Sequence, residues 1–156
     1  MKKLFALILA VVMIATMSVT ALAANTTGGF TTITIDIAPT YTVTIPANTT
    51  VAFNATETDF GAIEVTASQI HPDKCIKVAL ATDKELNNAI DNTKVIPYAI
   101  KDSEGAAFTS ATYLTEGDKT ELSIHITAND WNAAYAGEYS DTVTFTVSYV
   151  DKTANN

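Results

Sequence analysis

Period-two alternation is the feature of this chain that most restricts its fold. Thr32-Ile33-Thr34-Ile35-Asp36-Ile37 alternates polar and apolar residues without a break. Tyr41-Thr42-Val43-Thr44-Ile45 does the same, as do Leu122-Ser123-Ile124-His125-Ile126 and Thr142-Val143-Thr144-Phe145-Thr146-Val147-Ser148-Tyr149. Successive side chains of a strand point to opposite faces, so this pattern describes half-buried antiparallel strands with threonine on the outer face. Threonine is β-branched and suits an exposed pleated surface. Further strands are expected at Thr50–Asn54, Ile63–Ala67, Lys74–Ala81, Val95–Lys101 and Ala107–Leu114. Turns at Asp102-Ser103-Glu104-Gly105 and Glu116-Gly117-Asp118 separate some of them. The spacing predicts an all-β fold, an Ig-like antiparallel β-sandwich of two sheets and about eight or nine strands.

Two stretches depart from the alternation. Asp83–Ile90 has an acidic start and apolar residues four apart, which fits one or two helical turns or a loop. Asn129–Gly137 fits a short helix, with Asn129 or Asp130 as its cap and Gly137 as its stop. No linker or internal repeat divides residues 24–156, so one domain is expected, with a loose polar tail over 151–156.

The first 23 residues read as a cleavable export signal. Lys2 and Lys3 supply the positive start, Leu4–Met17 the apolar core, and Ala21-Leu22-Ala23 the small residues of a cleavage site. Cleavage between Ala23 and Ala24 is expected, with no cysteine following to carry a lipid. The chain is therefore expected to be secreted, or displayed at a bacterial cell surface, with no membrane attachment after cleavage.

Losing Lys2 and Lys3 takes the formal net charge from −8 to −10, and the chain contains no arginine. Nucleic-acid surfaces depend on basic patches and on the guanidinium fork, so no nucleic-acid partner is expected. Anionic membranes are disfavoured on the same grounds. Cys75 is the only cysteine. It is either a shielded strand thiol or, if it shares the outer face with Lys77 as parity suggests, the source of an intermolecular disulfide.

No catalytic constellation is legible. There is no G-x-S-x-G elbow, H-E-x-x-H or C-x-x-C motif, so an enzyme is not expected. His71 lies four residues from Cys75 and His125 sits on an alternating strand; both read as surface histidines. Two histidines and one cysteine on separate elements are a poor zinc set. Glu57, Asp59, Asp83 and Asp91 are the acids a calcium ion would need brought together, but no calcium-loop motif occurs, and no cofactor is expected. Trp131, Tyr135 and Tyr139 fall four residues apart. An exposed line of these rings would bind glycans by stacking, whereas buried rings would plug one end of the sandwich.

The run Ala136-Gly137-Glu138-Tyr139-Ser140-Asp141-Thr142-Val143-Thr144-Phe145-Thr146-Val147 resembles the final strand of bacterial spore coat protein U-like and related fimbrial subunits, where G-x-Y-x-D-T-V/L opens a long terminal strand. The entry Tyr41-Thr42-Val43-Thr44-Ile45-Pro46-Ala47 is similar to an early strand of small Gram-positive surface proteins. The resemblance implies a structural or adhesive role, self-association or contact with other surface proteins, and assembly by lending an N-terminal strand to a neighbour. The strand that could be lent follows Gly28-Gly29 and carries Phe30, Ile33, Ile35 and Ile37. The same residues could instead form the first strand of their own domain.

Overall fold

The computed structural model describes residues 32–152; the expected export signal, Phe30 and the last four residues lie outside them. Ten strands follow in order: β1 (Thr40–Thr44), β2 (Glu57–Gln69), β3 (Lys74–Ala81), β4 (Glu85–Asn88), β5 (Val95–Pro97), β6 (Ala99–Asp102), β7 (Ser110–Tyr113), β8 (Lys119–His125), then helix α1 (Ala128–Ala133), β9 (Tyr139–Ser140) and β10 (Thr144–Asp151). All pairings are antiparallel. One sheet has the order β1-β2-β8-β6 and a second the order β10-β3-β7. These two make the sandwich that alternation predicts.

A third sheet, β5-β4-β9, was not expected. Asp83–Ile90 forms no helical turn; Leu86 pairs with Ile96 across an antiparallel ladder. The expected strand Val95–Lys101 is split between sheets at Tyr98, immediately after Pro97, which has no N–H to give to a ladder. Thr50–Asn54 is not a strand either; it ends in a turn in which Ala55 N–H bonds Ala52 C=O at 3.1 Å and Asn54 has φ 63°.

Side-chain parity explains the core. Ile63 and Val65 of β2 and Ile76 and Val78 of β3 are wholly buried between the two main sheets. Phe60 also faces inward, although it lies three residues from Ile63. A bulge between Asp59 and Gly61 supplies the extra residue that makes both possible. Gly61 takes φ +100° there, and its N–H is held by the Asp59 carboxylate at 2.8 Å.

The lateral edge formed by β6 and β7 is stitched shut. The chain leaves β6, and Asp102 Oδ1 accepts from the N–H groups of Glu104 and Ala106. Phe108 N–H then bonds back to Ile100 C=O, and Leu80 of β3 bonds Thr109 C=O. One segment thus hydrogen-bonds to both sheets, and Ile100, Phe108 and Tyr113 are buried behind it.

Candidate functional site

The opposite lateral edge is built from β1 and β10. Tyr41, at the start of β1, stacks on Tyr149, near the end of β10, at 5.8 Å. Phe60 meets Phe145 at 6.0 Å. Among the described residues no segment crosses from β1 to β10, and no strand pairs with the outer side of β10. The inward side chains here, Tyr41 and Val43 of β1 and Phe145 and Val147 of β10, pack on the core but are only half-buried.

The segment before β1 is unpaired. Residues 32–39 form no strand, and Ile33, Ile35 and Ile37 are 93%, 75% and 58% exposed. The expectation of a first strand packed in its own domain is therefore not met. The ladder between β1 and β2 explains why. Thr40 pairs with Gln69, the last residue of β2, so the partner ends where β1 begins. Pro39, just before it, has no N–H to extend the pairing.

The G-x-Y-x-D-T run acts as a structural clamp. Gly137 lies against Asn88 so closely that a Cβ would stand 2.4 Å from its amide nitrogen. The Tyr139 hydroxyl accepts from Tyr135 N–H at 3.2 Å and donates to Tyr135 C=O at 3.1 Å. The Asp141 carboxylate accepts from Thr82 Oγ1 at 2.8 Å and from the Tyr98 hydroxyl. Burial, and then the hydrogen bond to Asp141, push the Tyr98 hydroxyl well above the usual tyrosine range.

Those contacts disperse the expected aromatic line. The helix spans only Ala128–Ala133 and is capped by Thr127, not Asn129 or Asp130, so spacing four does not continue as a helix face. Trp131 is half-buried, donates its indole N–H to Ala55 C=O at 2.8 Å and meets Phe53 edge-on. Tyr139 is spent on the clamp. Only Tyr135 is well exposed, and Lys94 Nζ lies 5.1 Å from its ring centre.

Cys75 lies on the same side of β3 as Lys77, as parity predicts, but it is covered where Lys77 is exposed. It is 4% exposed, with Sγ 3.9 Å from Asp151 C=O. The thiol is buried in the folded chain, so it presents no exposed sulfur for an intermolecular disulfide. His71 pairs with Asp73 rather than with Cys75, and His125 bonds Ser123 at 2.9 Å. Glu57 and Asp59 line a shallow groove with Glu121, but Asp83 and Asp91 do not join them; among the described residues no three potential metal ligands converge. The start of the expected loose tail is fixed: Asp151 belongs to β10 and pairs with Lys74, and Lys152 N–H bonds Asp73 C=O.

The fold defines an all-β antiparallel sandwich with a small third sheet. No protein-family model matches the chain, and no curated protein matches it. The functional geometry therefore rests on the open edge and the exposed segment that leads into it. Sequence reading found Ile33, Ile35 and Ile37 but not the edge. The alternation of β10 was visible; its position at the rim of a sheet is a property of long-range pairing.

Proposed function

We propose that this chain is an exported structural subunit that associates with further copies of itself through its N-terminal segment. One observation carries the reading: three isoleucines at period two stand unpaired and exposed ahead of β1. Burying an isoleucine side chain is worth about 1.5–3 kcal/mol, so such a strip is a strong drive to association. Main-chain pairing of an extended segment with a sheet edge supplies direction as well as affinity. The resemblance of Gly137–Val143 to the terminal strand of fimbrial subunits, and the leader-like first 23 residues, support the same reading.

Light scattering after size-exclusion chromatography tests it on the chain from Ala24 onward. Oligomers that grow with concentration, and their loss in an Ile33→Asp, Ile35→Asp, Ile37→Asp variant, are expected. A wild-type chain that remains monomeric across the soluble range would rule the proposal out.

A further inference from the structure

We infer that the groove between the Asn88–Lys94 turn and Tyr135 is a binding site for a neutral sugar ring. It measures about 260 Å³ and is lined by Asn88, Ile90, Asp91, Lys94, Tyr135 and Ala136. None of these residues belongs to β1, β10 or the isoleucine segment, so the site stands apart from self-association. The first observation is a buried donor without a partner. Asn88 is 6% exposed, and its Oδ1 accepts from Ile90 N–H at 2.9 Å and from Asp91 N–H at 3.2 Å. Those two bonds fix which way the amide is turned, and Nδ2 makes no hydrogen bond to the described residues. It lies beside Gly137, where the missing side chain leaves it uncovered. A buried donor without an acceptor is costly, so it marks a place for an oxygen from outside the chain.

The second observation is rigidity. Asn88 N–H bonds Lys94 C=O and Lys94 N–H bonds Asp91 C=O, each at 3.0 Å, and Ala89 N–H bonds Glu138 C=O at 2.8 Å. Residue 135 is held through its backbone by the Tyr139 hydroxyl. Walls fixed before binding have little freedom left to lose. The third is the mixture of chemistry. Asp91 accepts from the Thr93 hydroxyl at 2.6 Å and from Thr93 N–H at 3.0 Å. These bonds hold its carboxyl below the usual carboxylate range, so it stays charged and disfavours an anion. Lys94 Nζ disfavours a cation, and it steadies the Tyr135 ring 5.1 Å away. A purely apolar ligand would leave the Asn88 donor and the Asp91 acceptor unpaired. Ile90 and Tyr135, both exposed, add apolar surface. A pyranose meets all of these demands. Its oxygens accept from Asn88 and Lys94, its hydroxyls donate to Asp91, and its C–H face lies on the tyrosine ring. Small-ligand sites usually run from about 300 to 1,000 Å³, so this one takes a ring rather than a long chain.

NMR titration tests the site on the chain from Ala24 onward, kept dilute, with the methyl glycosides of glucose, galactose, mannose and N-acetylglucosamine as probes. At least one of them is expected to bind with a Kd of about 1 mM, the strength a ligand of this size reaches. It should shift the Asn88 side-chain amide and the Tyr135 and Ala136 backbone amides together, in a saturable way. Tyr135→Ala should weaken binding about tenfold or more, through the lost ring face. The rest of the spectrum should be preserved, because the Tyr139 hydroxyl bonds only the backbone of residue 135. Ile90→Ser, at a residue 91% exposed, repeats the test with a loss of about threefold should Tyr135→Ala not fold. No saturable shift with any of the four sugars, shifts confined to another part of the molecule, or undiminished binding by the variants overturns the assignment.

Discussion

At the β6/β7 edge, Ile100 and Phe108 lie behind a segment hydrogen-bonded to both sheets and are buried. At the β1/β10 edge, Val43, Phe145 and Val147 come from paired strands and are only half-buried. Residue type does not separate the two edges; each is aromatic and aliphatic. The difference is whether the chain itself crosses between the sheets. A sandwich can therefore be well packed at one rim and carry unsatisfied apolar area at the other without any unusual composition.

That contrast can be broken by truncation. Phe108→Ala at the closed edge should destabilise the monomer by about 3–5 kcal/mol, because a buried ring leaves a cavity. Val147→Ala at the open edge should lower stability by only about 1 kcal/mol, because part of its surface is already in water. Urea denaturation of both variants at low protein concentration measures the ratio. Equal losses would mean that the β1/β10 edge is as complete as its opposite.

Gly137→Ala sharpens the comparison from outside both edges. The new methyl group meets the Asn88 amide, and the backbone there has φ +151°. A loss of about 1–3 kcal/mol is expected from overpacking, with assembly unaffected, since neither edge is touched. An effect on oligomer size as large as that of the isoleucine variants would show that the clamp, not the segment, controls association.

The smallest effect concerns acid. Asp118 accepts from the N–H groups of Leu114 and Thr115 at 2.7 and 2.9 Å in the β7–β8 turn, and these bonds hold its carboxyl below the ordinary value of 3.8. A lowered folded value means that the stabilisation is complete above that range and disappears as pH falls through the folded value. Asp118→Asn should therefore lower stability slightly at pH 7 and leave it nearly unchanged near pH 2, in parallel denaturation curves.

The architecture was largely legible because alternation is a local property. Lys74–Ala81 appears as a strand with the expected bounds, and β1, β8 and β10 lie within two or three residues of where alternation placed them. What escaped depends on pairing. The face of Cys75 follows a simple parity rule, but the thiol sits at the end of the ladder beside Asp151, where both faces are covered. Trp131, Tyr135 and Tyr139 share a spacing but not a helix, because α1 ends at Ala133. The third sheet joins segments some fifty residues apart, Asn87 to Ser140 and Asn88 to Tyr139, and no window along the chain contains both.

The burial of Cys75 also gives the molecule a built-in clock. Its thiol is buried beside the Cys75–Val150 and Lys74–Asp151 end of the β3/β10 ladder, so a labelling reagent reaches it only when the structure around it opens. Thiol modification rates would therefore count those openings in the untouched protein, without an introduced probe.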